Sequence, residues 1–309
     1  MTVRLFAVLL VLASSVFVTA QPTVYILNVR ESAGSWTTPN FLALRIQELL
    51  QSASEELGLE LSVKTVESIE DWEKLVSEAP QGVVVINAHG ELVPVPPKYG
   101  VDWQLFYRDL AMNIMYRGWV WVNPVGYGFF YVTYNYTKTA EGRWDWDQLT
   151  VDAAGLEVLG GWLGIIATAW PEQAGGTLQV TQVGRHVFDV LGYNLPDTPN
   201  APRPLTTNIP ASWYFYVYAS GDVTAYSCAA FEIGKGALMW GGWASSPTEQ
   251  QAMVAAALTL YYLYPAQLEA AQPKPKGLTP EQLILIAWGT VVMIVLLIVV
   301  SFLLKRKGR

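Results

Sequence analysis

The sequence predicts an α/β fold, in which a mostly parallel β-sheet is covered by helices on both faces. Two observations lead to this prediction. From residue 21 onward, short β-rich runs alternate with amphipathic windows of helical periodicity, which is the pattern of a parallel sheet with helical crossovers. About 250 residues lie between the apolar segments at the two ends of the chain, and this length is ample for a sizeable core.

The first half of the chain predicts a β-α-β-α-β-α-β order. Strands are expected in four short apolar runs, at residues 23–29, 61–66, 82–87 and 119–122. Helices are expected between them, where apolar residues recur at helical spacing, at residues 42–50, 69–79 and 102–116.

The second half is less regular. Residues 129–136 predict an edge strand or a hairpin, a polar and Trp-rich stretch follows at 137–148, and a helix is expected at 151–162, ending at Gly160-Gly161. A short helical turn is expected at 185–191, and the five prolines of residues 195–210 favour a loop there. The last elements expected are strands at 213–218, 224–233 and 237–240 and a helix at 248–263.

The two ends of the chain predict a membrane topology. Residues 1–20 combine an early Arg4, an apolar run and a small-residue exit, which is typical of a secretory signal peptide. Residues 283–304 carry no charge and predict a transmembrane helix, because an uncharged helix of roughly 33 Å crosses a bilayer core. The basic residues within 305–309 place the tail in the cytoplasm.

This topology divides the chain into an extracytoplasmic domain at residues 21–269, a spacer rich in Pro and Lys at 270–282, the transmembrane helix and the cytoplasmic tail. We therefore expect a single-pass protein of the cell membrane, anchored by its C-terminal helix. The exported part carries a net charge of about −12, which disfavours nucleic acid and anionic lipid headgroups as partners.

The content of cysteine and histidine limits the chemistry. Cys228 is the only cysteine, which excludes an intramolecular disulfide and zinc sites built from cysteines. His89 and His186 are the only histidines, so a His-rich metal site is not expected. The sequence predicts neither a metal nor a cofactor.

The candidate site lies at the ends of two predicted strands. His89, Gly90 and Glu91 follow the third strand, and Gly126 and Tyr127 follow the fourth. Ligands of open α/β sheets bind beyond the carboxyl ends of the strands. His89 could act there as a base with Glu91 as its orienting partner, or it could be a turn histidine bonded to the backbone.

Residues 23–263 resemble the class I glutamine amidotransferase-like fold, including its ThuA-like relatives, which is built on a flavodoxin-like sheet. The resemblance rests on the strand ending at His89-Gly90, the Gly-rich turn at 123–128, and the stretches at 154–164 and 234–238. In active members a cysteine lies at a strained turn after a strand, where backbone N–H groups stabilise an oxyanion. Gly126 stands at that position, and a glycine cannot act as a nucleophile. The resemblance therefore implies a fold without amidotransferase activity.

Other interpretations remain open. A surface hydrolase of glycans or peptides could use the carboxylates of Glu91, Asp145 and Asp147, provided that two of them face each other. Cys228 could pair with His89 as a nucleophile, although it lies in an apolar, strand-like run typical of a buried cysteine. Trp144 to Asp147 could bind a sugar or a cation, or pack against the domain.

Asn135 begins an Asn-Tyr-Thr acceptor pattern for glycosylation. The leading hypothesis is a membrane-anchored, non-catalytic binding or scaffold protein that recognises a surface ligand or a protein partner through His89, Gly90, Glu91, Gly126 and Tyr127.

Overall fold

A computed structural model describes residues 21–150, 154–169, 177–199, 203–220, 223–243 and 248–274, together with Trp288 and Met293. The predicted signal peptide, most of the predicted transmembrane helix and the basic tail lie outside the described residues. In the part of the chain that is described, no helix has the length and apolarity needed to cross a membrane.

The first half of the chain has the predicted order of elements. The strands are β1 (Thr23–Leu27), β2 (Ser62–Val66), β3 (Val84–Asn87), a short β4 (Leu92–Pro94) and β5 (Val120–Asn123). The helices are α1 (Pro39–Leu57), α2 (Ile69–Glu78) and α3 (Trp103–Met112), and α3 continues into a π-helical turn at Asn113–Arg117. The helix α2 begins at Ser68, whose side chain accepts the Asp71 N–H, so capping fixes its start.

The second half combines antiparallel strands with four helices in the described residues. The strands are β6 (Tyr131–Lys138), β7 (Trp144–Thr150), β8 (Ala167–Ala169), β9 (Gln179–Val180), β10 (Leu205–Thr207), β11 (Trp213–Ser220), β12 (Val223–Ile233) and β13 (Gly236–Trp240). The helices are α4 (Ala154–Leu163), α5 (Gln182–Leu191), α6 (Thr248–Leu263) and α7 (Pro265–Ala270).

The central sheet is mostly parallel, as the sequence predicts. Its order is β2-β1-β3-β5-β13-β12-β10-β8, with β11 paired to β12 and β9 paired to β11. The first five strands of this order run parallel, and β12 is antiparallel to β13. A second sheet contains β4, β6 and β7. The carboxyl ends of β3, β5 and β13 therefore lie side by side.

Each face of the central sheet buries its own apolar cluster. One cluster packs α1, α5 and α6 against the sheet, with Ile46, Phe188 and Leu258 fully or nearly fully buried. The other packs α2, α3 and α4 and is rich in aromatic rings, with Trp72 and Trp121 at 0% exposure. The aromatic side chains of the second cluster thus contribute to the core. The buried apolar area of both clusters is the main source of stability.

One detail of the sequence-based prediction is wrong, the end of α4, and the structure adds three others. The helix α4 continues through Gly160-Gly161 to Leu163, because Gly164 with φ 72° marks the turn that ends it. The Pro-rich segment contains the strand β10, which pairs with β8 and β12. Residues 137–148 contribute to the β6–β7 hairpin. The spacer begins with docked residues, because Lys274 contacts α1 and α5.

Candidate functional site

Two turns meet at the carboxyl edge of the central sheet. One follows β3 and carries His89, Gly90 and Glu91, and the other follows β5 and carries Gly126 and Tyr127. Because β3 and β5 are neighbouring parallel strands, the two turns lie next to each other. We call the group of Ser35, Trp36, Glu91, Gly126, Tyr127 and Arg203 the carboxyl-edge site.

Two buried asparagines join the turns. The side-chain amide of Asn87 donates hydrogen bonds to the Asn123 Oδ1 at 3.1 Å and to the Leu92 carbonyl at 2.9 Å. The Asn123 amide donates in turn to the Val125 carbonyl at 2.9 Å. Both asparagines are 0% exposed, so their amides satisfy carbonyls that would otherwise be buried without partners. They fix the relative position of the turns.

His89 is held by backbone groups at both ring nitrogens. Its Nε2 accepts the Val29 N–H at 2.9 Å, and its Nδ1 lies 2.7 Å from the Ala33 carbonyl, which requires the proton on Nδ1. The side chain is 0% exposed, and burial lowers its pKa to about 4. It makes no hydrogen bond to Glu91. This geometry gives His89 a structural role, since neither nitrogen is available to a ligand.

The Glu91 side chain fills the space beside Gly126 in the second turn. Its Oε1 accepts the Tyr127 N–H at 2.7 Å, and a Cβ added to Gly126 would lie 2.1 Å from the same oxygen. Burial raises the pKa of this carboxyl, while the Tyr127 N–H, Arg203 and the side chains of Ser35 and Trp36 act in the opposite direction. The Tyr127 amide is therefore already engaged by a buried side chain.

Glycines at both turns are required by the backbone. Gly126 adopts φ 53° and Gly90 adopts φ 75°, a region that residues with a Cβ rarely enter. A Cβ at Gly90 would lie 2.0 Å from the Ser35 carbonyl, because Gly90 forms a bridge with the segment that precedes α1. The turn at Gly126 leads into Phe129, with φ 66°, and then into β6 rather than into a helix.

The surface around Glu91 consists of aromatic and cationic side chains. Trp36 is 60% exposed, and the Arg203 guanidinium lies over the ring of Tyr127, with 4.8 Å from its Cζ to the ring centroid. Tyr127 also packs on Phe130, with 5.7 Å between the ring centroids. Sequence reasoning missed Ser35, Trp36 and Arg203, since they come from segments far from the two motifs and carry no local signal.

The carboxylates of the second sheet lie far from Glu91. The Glu91 carbonyl accepts the Tyr131 N–H at the start of β6, whereas Asp145 pairs with Thr137 on the same strand. Six strand positions correspond to about 20 Å. Asp147 is bonded to Asn135, four positions from Tyr131 or about 13 Å, and paired catalytic carboxylates lie roughly 5–10 Å apart. Asp145 and Asp147 are exposed, and the neighbouring indoles of Trp144 and Trp146 pack partly against the core. The structure does not bring these acids to Glu91.

The remaining sequence candidates lie elsewhere. Cys228 is 0% exposed, and burial raises the pKa of its thiol well above the usual value, which makes it unreactive. The His186 Nε2 lies 3.1 Å from the Leu268 carbonyl, in contact between α5 and α7. Asn135 is half-buried on β6, and its Nδ2 donates to Asp147 at 3.2 Å.

Within the described ranges, no group of three or more His, Cys, Asp or Glu residues could hold a metal ion. No protein-family model matches the chain, and no curated protein sequence matches it. The functional proposal therefore rests on the geometry of the carboxyl-edge site.

Proposed function

We propose that this chain is a membrane-anchored, extracytoplasmic binding or scaffold protein on a glutamine amidotransferase-like fold that has no nucleophile. It recognises a surface ligand or a protein partner through the carboxyl-edge site. One observation carries the proposal: the Glu91 carboxylate lies against Gly126 and accepts the Tyr127 N–H.

This contact argues for binding and against acyl transfer. Covalent catalysis at such a turn needs a side-chain nucleophile and free backbone donors that stabilise the charge of the intermediate. Gly126 supplies no nucleophile, and the donor that follows it is bonded to Glu91 at 2.7 Å. What stays accessible is the exposed indole of Trp36, which contacts Glu91, and the stacked pair of Tyr127 and Arg203. Trp, Tyr and Arg are the residue types that contribute most of the binding energy at protein interfaces.

The position of Lys274, at the start of the C-terminal segment, supports an orientation of the carboxyl-edge site relative to the membrane. Lys274 forms an ion pair with Glu56 at the end of α1, and its Nζ donates to the Leu191 carbonyl at 3.2 Å. Because α1 crosses from the carboxyl end of β1 to the amino end of β2, its last turn lies at the amino edge of the sheet. The segment that leads to the apolar residues 283–304 thus leaves from the edge opposite to Glu91. In the anchored protein, the carboxyl-edge site faces away from the bilayer.

Anchoring is tested on intact cells that express the full chain. Protease added outside should digest the domain and leave a short membrane-embedded C-terminal fragment. Protection of the domain until the cells are lysed would contradict the extracytoplasmic placement, and release of the full chain by alkaline carbonate would contradict the anchor.

The recognition site is tested by photo-crosslinking in the same cells. A photoreactive amino acid replaces Trp36 or Tyr127, and Leu105 on α3, which is 40% exposed, is the matched control position. We expect an adduct of one defined mass from positions 36 and 127 and none from position 105. Adducts that are the same at all three positions, or absent from 36 and 127, would overturn the placement of the site.

A further inference from the structure

A concave surface lies on the other side of the molecule from the carboxyl-edge site. It is a groove of about 780 Å³ between the C-terminal parts of α2 and α3, and it falls within the size range of small-molecule sites. Both helices precede parallel strands, so their C-terminal parts lie toward the amino edge of the sheet. We call it the amino-edge groove, and its distinguishing lining residues are Lys98, Arg108, Met112, Tyr116, Arg117 and Trp162.

Three large side chains with apolar surface are about half exposed in the groove. Met112 is 47% exposed, Tyr116 is 57% exposed and Trp162 is 48% exposed. These three come from two different helical segments and converge on one concavity. Tyr116 and Arg117 belong to the π-helical turn that extends α3, and such turns occur frequently at functional sites. Clustered exposed apolar side chains around a concavity indicate a binding surface.

The charge of the groove is opposite to that of the whole chain. The chain carries a net charge of −7, yet three cations and only Asp109 among the acids line the groove. Asp109 is engaged, because it accepts hydrogen bonds from Arg108 and from the Tyr99 hydroxyl, each at 2.8 Å. The Lys98 Nζ donates to the Ser77 hydroxyl at 2.9 Å, and the backbone N–H of Lys98 donates to the Glu73 carboxylate at 2.6 Å. No acidic residue in the described part of the chain forms an ion pair with Arg117.

We propose that the amino-edge groove binds a small aromatic carboxylate. The ring lies against Trp162, Tyr116 and Met112, where an aromatic face and a thioether both contact π-systems favourably. The carboxylate accepts hydrogen bonds from the guanidinium of Arg117, whose planar fork matches carboxylate geometry. Lys98 adds positive potential, whereas the charge of Arg108 is balanced by its ion pair with Asp109. This site is independent of the proposed recognition through the carboxyl-edge site.

The test is equilibrium dialysis of 2-naphthoate against the full chain in nanodiscs of zwitterionic lipid, with empty nanodiscs as the blank. We expect saturable binding of one naphthoate per chain and at least tenfold weaker binding of 2-naphthylmethanol, which has the same ring and no charge. Arg117→Gln and Trp162→Leu should each weaken naphthoate binding at least tenfold. Arg30→Gln, which removes an exposed arginine outside the groove, should leave it unchanged.

Circular dichroism of each variant establishes that it is folded, and both groove substitutions are at exposed positions. Equal binding of the acid and the alcohol would overturn the proposal, because the cations would then contribute nothing. Naphthoate binding that survives both groove substitutions, or that is absent from the unsubstituted chain, would overturn it as well.

Discussion

The carboxyl-edge site and the amino-edge groove are built in opposite ways. At the carboxyl edge, Glu91 is 2% exposed and its carboxylate is held by the Tyr127 N–H. In the groove, Met112, Tyr116 and Trp162 are about half exposed. Arg117 is exposed and forms no ion pair with any described residue. Buried polar groups need partners whereas exposed ones do not, so the first region is structurally demanding and the second tolerates change. Substitutions should therefore affect stability at the carboxyl edge and ligand binding in the groove.

The largest effect is expected for Gly90→Ala. The added Cβ would lie 2.0 Å from the Ser35 carbonyl, so the backbone must shift at a position that joins two segments. We expect a loss of about 3 kcal/mol or more in the free energy of unfolding, measured by urea denaturation. Gly142→Ala is the matched control, since Gly142 has φ 76° and nothing within 4 Å of its added Cβ. It should lose only about 1 kcal/mol, and equal losses in both variants would contradict the steric explanation.

A pH-dependent effect is expected for His89. The pKa of folded His89 is about 4 instead of 6.5, so between these values the unfolded chain binds more protons than the folded one. Its contribution to stability is therefore complete above pH 6.5 and falls by about 3 kcal/mol as the pH drops toward 4. The difference in unfolding free energy between wild type and His89→Gln, measured across this range, should shrink by that amount. A difference that does not change with pH would contradict the buried neutral imidazole.

The contribution of Glu91 to stability should change with pH in the opposite direction to that of His89. Its pKa is raised by burial, so the folded chain binds more protons above the usual glutamate range, and the contribution of this group to stability falls as the pH rises through that window. Glu91→Gln, which keeps the size and removes the charge, should gain stability relative to wild type as the pH rises from 4 to 7. The gain should exceed that of the control Glu78→Gln, which makes the same substitution in a side chain that is 62% exposed. A relative loss of stability with rising pH would contradict the assignment.

The smallest effect is expected for Arg117→Gln. The side chain is exposed and has no ion pair in the described part of the chain, so the free energy of unfolding should change by less than about 0.5 kcal/mol. Urea denaturation of this variant beside Gly90→Ala gives the sharpest contrast between the two regions. A loss above about 1 kcal/mol would show that the groove arginine supports the fold.

Local periodicity was sufficient for the regular half of the fold. Helix α2 lies at Ile69–Glu78, within one residue of the predicted range 69–79, because its apolar residues recur at helical spacing. Strand β10 could not be predicted, because it is only three residues long and exists through its pairing with β8 and β12. Such pairing depends on residues far apart in the chain, which periodicity does not reveal.

The same limit applies to the sites. Glu91 and Gly126 could be placed together, because the carboxyl ends of neighbouring parallel strands meet at one edge. Trp36 and Arg203 could not be placed there, since only the folded backbone brings Trp36 to Glu91 and Arg203 to Tyr127. The amino-edge groove could not be predicted from the sequence. Its lysine, arginines and aromatic residues look like ordinary surface residues, and they come together only when the helices pack.

The contact between Glu91 and the Tyr127 amide is the claim on which the functional proposal depends. NMR of the full chain, with ¹⁵N-labelled tyrosine, follows the Tyr127 amide resonance during a pH titration. The resonance should shift with a midpoint above the usual glutamate pKa, and the shift should disappear in Glu91→Gln. A Tyr127 amide that exchanges rapidly with solvent and is unaffected by Glu91→Gln would show a free donor at this turn and contradict the account.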